Sequence, residues 1–372
     1  MVAPCVGRLQ QEITDSPDAI ERAELTAELG CYLARVGEFD RVEIMISNLR
    51  RDFGDGSNVR ISILIMCMEG LLHHFRDLSD KSLDRLYRAR LISASTKQRD
   101  LLCLTSAWLA HMYFNSNRFE EAVSSLFGAL ETLDKTNISS ICRIGMVAGD
   151  IFNCIGEDAP SRDWYDISRH AATAYGDQAS IGALTYNTAA LHIFSLRLRS
   201  HFSRVSEIEI ESATTRIRTA ENYQLIAELK SLDHLLVGSN IHLEMLRQNF
   251  ALAYELIMNI LKAGTVPAHY QHLLVFRLDK ALCEAKLGRE QAAIECLLEV
   301  DIDILSKLSI DDKIIAFSTL ERIGECIESD ALDRFSAIDL KRALVEHEEL
   351  NRKVKEAMDP FRLIPSWLQS AH

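Results

Sequence analysis

Twelve histidines and nine cysteines are the residues of this 372-residue chain most able to do chemistry. Metal binding would need several of them, or carboxylates, at ligand spacing. His73 and His74 are adjacent and point to different faces of a helix. His269 and His272 are three apart and can share a face. No carboxylate or cysteine joins these pairs at ligand spacing, so no metal site is expected. Cys154 lies near Asn153 and Asp150, but it reads as a core or half-buried thiol rather than a nucleophile. A nucleophile-elbow serine, a phosphate-binding loop and a dinucleotide fingerprint are all missing. No catalytic residue and no cofactor are therefore assigned, and an enzyme is not expected.

The elements that would carry such residues read as helices. There are only 6 Pro and 16 Gly, and Leu, Ala, Glu and Arg are abundant, which favours an all-helical protein. The cysteines are odd in number, form no CxxC pair and sit at apolar positions such as Cys67, Cys103 and Cys283. They read as free, buried thiols of a reducing cytoplasm. Met1 to Gln10 lacks a basic stretch followed by an apolar one, so no signal peptide is expected. Neither is a membrane partner, because no run of about 18 apolar residues occurs. A formal net charge of −13 argues against nucleic acid as a partner and suits a neutral or basic one.

A small residue returns about every 40 positions: Gly30, Gly70, Ala110, Gly149 and Ala189. Seven residues after this anchor come Gly37, Asn117 and Gly156, which tolerate φ > 0 and close a helix; Asp77 takes that place in the second unit. Aromatics follow at Phe39 and Phe119, nine after the anchor. Apolar or small residues then come at helical spacing: Val42 and Ala122; Ile46, Leu86, Leu126 and Tyr165; Leu49, Ala89, Ala129 and Ser168. Each unit is a helix, a tight turn and a second helix. The small anchor lets the two backbones approach where they cross. Helix starts are expected at Ser16-Pro17-Asp18, with Ser16 as the N-cap, and at Ser57-Asn58, Asn137 and Asp158-Ala159-Pro160-Ser161. Gly176-Asp177 breaks between the fourth and fifth units.

Five regular units span 16–195, and the register then slips. Residues 196–222 read as an extended helix or an insertion. Units six to eight follow over 223–358, with Ala281 and Gly288 marking the seventh and Gly324 a fainter last one. They end in a charged capping helix from about Ser336 to Met358. The tail, 359–372, is apolar and Pro-punctuated through Phe361, Ile364, Pro365, Trp367 and Leu368. It is expected to dock, either on its own last repeat or on a second copy of the chain as a homodimer.

The run Ala107-Trp108-Leu109-Ala110-His111-Met112-Tyr113, followed by Asn117-Arg118-Phe119-Glu120-Glu121-Ala122, Leu126 and Ala129-Leu130, resembles a tetratricopeptide repeat. So do Leu29-Gly30, Leu33, Gly37-Glu38-Phe39-Asp40 and Val42, and Leu287-Gly288-Arg289-Glu290-Gln291-Ala292-Ala293-Ile294. The resemblance covers most of the chain. It implies an all-α fold, a right-handed α-α superhelix of about eight TPR-like helical hairpins around a concave groove. The units exceed the family's usual length of about 34 residues, enough to lengthen the helices by one to two turns. Long units are similar to the sensor arrays of maltose-activator-type bacterial regulators and to peptide-pheromone receptors. No DNA-binding, nucleotide-binding or cyclase segment accompanies them here, so the output activities of those relatives do not carry over.

In this family the first helix of each unit lines the groove. The inward positions lie about one, four and five residues after the anchor and three and six before it. The resemblance thus assigns groove-binding roles to His74 and Phe75, to His111, Phe114 and Asn115, to Asp150 and Asn153, and to Tyr186, Asn187 and Phe194, with Ile193 on the same face. Aromatic, His and Asn side chains suit a peptide or small ligand. The carboxylate clamp of chaperone-binding members is excluded, because Cys67, Met68, Trp108 and Val147 occupy its positions. The expected function is a non-enzymatic scaffold or adaptor that holds a partner peptide or helix. The alternative is a signalling protein that senses a ligand or peptide and changes superhelical shape.

Overall fold

The computed structural model describes residues 3–54, 56, 58–77, 79–231, 233–263, 272–335 and 339–369. His269 lies outside these residues, as does Ser336, and the side chains of His272 and Trp367 are not described. The described residues are helical or in turns, with no strand among them. The fold is all-α, and helices pack mostly on their neighbours in sequence. The chain forms two compact units. One holds Met1–Asn187, Asn222–Ser231 and Val354–His372; the other holds Thr188–Glu221 and Leu232–Lys353.

In the first unit, α1 (Pro4–Asp15) packs on α2 (Ala19–Val36), which forms a hairpin with α3 (Phe39–Phe53). Three more hairpins follow: α4 (Val59–Asp77) with α5 (Lys81–Ser95), α6 (Arg99–Asn115) with α7 (Phe119–Thr132), and α8 (Ile138–Cys154) with α9 (Asp158–Tyr175). First helices also pack on one another, α2 on α4 and α6 on α8. The turns use left-handed backbone at Gly37 (φ 90°), Asn117 (φ 56°) and Gly156 (φ 74°), where the helix must end within one residue. The stripe of Val42, Ile46, Leu49, Leu86, Ala89, Ala122, Leu126 and Ala129 is buried, which is what drives each second helix onto its first.

The anchor residues sit where helices cross. A Cβ on Gly70 would lie 2.8 Å from Cγ of Leu86, and one on Gly149 would lie 2.5 Å from Cδ1 of Tyr165. In both cases the residue sixteen positions on fills the room left by the missing side chain. At Gly145 the close neighbour is backbone rather than a side chain, since its Cβ would come within 2.8 Å of the backbone oxygen of Trp164.

Two sequence-based expectations need correction. Ser16 is not the cap of the following helix. It ends α1, its N–H bonding to the carbonyl of Glu12, and Asp18 caps α2 by accepting from the N–H of Ile20 at 2.9 Å. The helix before it, α1, carries no anchor residue. Nor does the tail dock on the last repeat. Phe361 is 1% exposed and packs on Phe127 of α7, with ring centres 4.7 Å apart, and on Trp164 of α9. The indole N–H of Trp164 donates to the carbonyl of Phe361 at 2.8 Å, and Arg362 pairs with Glu157. A second distant segment also closes this unit. Ser231 donates its hydroxyl to the carbonyl of Arg35 at 2.6 Å, and Leu229 fills the space over Gly182.

The register slip has a simple form. Helix α10 runs from Gln178 to Arg199 and α11 from Glu207 to Ile226, so 196–222 is the end of one long helix, a turn and most of another. The second unit includes α12 (Asp233–Leu246), α13 (Phe250–Ala263), α14 (His272–Lys286), α15 (Glu290–Leu298), α16 (Ile302–Ser306) and α17 (Ile310–Gly324), and α18 (Leu340–Met358) belongs to it as far as Lys353. Its core gathers Ile241, Ile257, Leu278, Leu282 and Ile315 around a fully buried Arg197–Asp279 ion pair. Gly288 closes α14 with φ 73°.

Candidate functional site

The polar residues assigned to the first helices meet in two clusters within the first unit. In α6, Trp108, His111 and Asn115 recur at intervals of three and four residues and so share one face. His74, one turn from the end of α4, comes to that face. The His74 and His111 rings lie 5.7 Å apart, and Asn115 brings its amide nitrogen 3.2 Å from Nε2 of His111 and 3.5 Å from Nε2 of His74. Phe75 packs edge-on against His74 and Trp108. Arg143 of α8 completes the cluster. Its guanidinium lies over the Trp108 indole, with Cζ 3.8 Å from the ring centre.

The second cluster forms around Asp150, two turns after Arg143 on α8. Asp150 is fully buried. It accepts from the hydroxyl of Tyr165 on α9 at 2.7 Å and from the amide of Asn187 on α10 at 2.9 Å. Gly149 helps to aim this contact, because any side chain there would displace the Tyr165 ring.

Burial sets the charges. It pushes the Asp150 carboxyl up to about 7, against the bonds from Tyr165 and Asn187 and the charge of Arg143. His74 falls to about 4, through burial and then the charge of Arg143. His111 is held well below its ordinary value by burial, Arg143 and His74, in that order. The guanidinium of Arg143 is itself pushed down to about 10, first by burial and then by the charge of Arg35. The two imidazoles are thus neutral at pH 7, beside a buried cation. Among the described residues no serine or cysteine side chain hydrogen-bonds to either imidazole, so the cluster contains no nucleophile–base pair. It can donate hydrogen bonds and offer aromatic faces.

The other assigned residues are placed differently. Phe114 packs edge-on against Phe119 within its own hairpin. Asn153 is half-buried, and its carbonyl accepts from Gly156 to close α8. Tyr186 is half-buried beside Asn187. Phe194 belongs to the second unit, where it meets His242 edge-on at 6.0 Å. Arg143 and Tyr165 were not among the residues singled out. Arg143 was accessible to the register, since it lies six before Gly149, a position turned inward. In the sequence Tyr165 is one position of the buried stripe, sixteen residues after Gly149.

The cysteines form no disulfide. Burial pushes the thiol of Cys103 up to about 11 and that of Cys67 well above its ordinary value. No helix among the described residues is long and apolar enough to cross a membrane. No known protein family's sequence profile matches this chain, and no curated protein is significantly similar to it.

Proposed function

We propose that this chain is a non-enzymatic binding protein of tetratricopeptide type, a scaffold that takes a helix or extended peptide of a partner in a groove of the first unit lined by α4, α6, α8 and α10 as far as Asn187. One observation carries this reading. His74, Trp108, His111 and Arg143 come from three successive first helices and converge with hydrogen-bonding capacity left unused. A core assembled only for stability would pair such groups or replace them with apolar ones. A stiff helical framework holds them in place before binding, so little ordering entropy is lost on capture. Thiols without disulfides fit a reducing compartment such as the cytoplasm.

Two variants test the reading. Phe75→Ala combined with Phe114→Ala removes two aromatic faces. Asn115→Ala removes an exposed amide with little risk to folding. Both are expected to lose a partner that the wild-type chain retains from native lysate, while keeping their helical circular dichroism. Unchanged capture by the folded Asn115→Ala protein would place the binding surface elsewhere.

A further inference from the structure

The His74–Arg143 cluster holds more buried donors than acceptors. Arg143 is 4% exposed. One terminal nitrogen reaches only the thioether sulfur of Met146, at 3.1 Å, and its Nε meets no acceptor. Thioether sulfur is a weak acceptor. Nδ1 of His111 is likewise buried and without a partner. The amide nitrogen of Asn115 can only donate, so Nε2 of His111 accepts and the ring proton sits on Nδ1. Two buried N–H groups beside one indole therefore face no oxygen of the protein.

The nearby carboxylates are committed elsewhere. Asp177 pairs with Arg35 at 2.8 Å and accepts from Ser180. Asp150 is held by Tyr165 and Asn187. Among the described residues no carboxylate lies within ion-pair distance of Arg143. A buried guanidinium without a counter-ion costs stability, and a ligand can supply what is missing.

Building on the binding role proposed above, we infer that the occupant of this site places a carboxylate against Arg143 and His111 and lays an adjoining apolar group on Trp108 and Phe75. The guanidinium is planar and one of its faces is covered by the indole, leaving its edge to a flat two-oxygen acceptor. The net charge of −13 disfavours a polyanion. A single carboxylate on an otherwise neutral ligand feels chiefly Arg143, because exposed charges beyond about 8 Å are screened at physiological salt.

Two pairs of probes test this by calorimetry and thermal shift. The first is N-acetyl-phenylalanine against its amide. The second is a blocked peptide with an internal Phe-Glu against the same peptide with Phe-Gln, which separates a free-acid carboxylate from a side-chain one. At least one acid is expected to bind wild type about tenfold or more tightly than its neutral partner. Arg143→Met should abolish that preference in a protein that keeps its helical circular dichroism. Equal binding of acid and neutral probe in both pairs overturns the assignment, as does an acid preference that survives Arg143→Met. The wild-type comparison decides the matter even if the variant fails to fold. An acid preference in a chain whose Asn115→Ala form still captures its partner would leave the carboxylate site standing and remove the partner groove from it.

Discussion

The Arg143 guanidinium lies 3.8 Å from the centre of the Trp108 ring, and this indole is its chief close partner. Cation–π attraction is strongest when both groups are out of water, as here. The two residues should therefore be coupled. A double-mutant cycle with Trp108→Leu and Arg143→Met, followed by urea unfolding, should give an interaction energy of about 2 kcal/mol. Additive effects would mean that the stack contributes nothing.

Asp150 should give the protein a pH signature. Its folded pKa, about 7, lies above its ordinary 3.8, so the folded state holds the proton longer. Its stabilisation is complete below about 3.8 and is lost as pH rises through about 7. His74 works in the opposite sense. Its folded pKa, about 4, lies below its ordinary 6.5, so its contribution is present above 6.5 and lost as pH falls through about 4. The two offset each other between pH 4 and 6.5. In Asp150→Asn the histidine effect is left unopposed, and stability should rise more steeply across this range than in wild type. Parallel unfolding curves for the two proteins from pH 4 to 7.5 would contradict the placement of Asp150.

The approach of α8 to α9 depends on Gly145. The Cβ of Gly145→Ala would press on the Trp164 carbonyl and on the N–H of Ser168, neither of which can move aside alone. The expected loss is about 1–3 kcal/mol in urea unfolding. Gly156→Ala makes a useful contrast, since nothing crowds its Cβ and its cost is the left-handed backbone alone. If Gly145→Ala is as stable as wild type, the crossing is looser than described.

The tail is structural. Phe361→Ala should cost about 3–5 kcal/mol, because it empties the space between Phe127 and Trp164. Trp164 fluorescence should shift to longer wavelength as water enters. A loss under about 0.5 kcal/mol would instead mark an ordinary surface substitution.

The hairpins of the first unit were legible because each is a local object. An anchor, a turn residue seven later and a stripe at 12, 16 and 19 lie within one unit, and the left-handed Gly37, Asn117 and Gly156 mark its turns. Turns closed by other residues left no such mark. Gln248 ends α12 with φ 57°, and its type does not announce that conformation. The docking of Phe361 on Trp164 joins residues 197 positions apart, and no periodicity reports such a contact. The site was legible in part. The register placed His74, His111 and Asp150 on first helices, but which long side chain would end without a counter-ion depends on three helices at once. That is why Arg143 emerged only from the packing.

The central claim is that the face bearing Asn115 receives a partner. Its most direct test is a photo-crosslinking amino acid placed at exposed Asn115 on α6 and, as a control, at exposed Arg88 on α5. Binding at this face predicts that the Asn115 probe joins a defined protein segment in native lysate, that excess wild-type chain competes it away, and that the Arg88 probe does not join that segment. Crosslinking to the same segments from both positions, or none from Asn115, would contradict it.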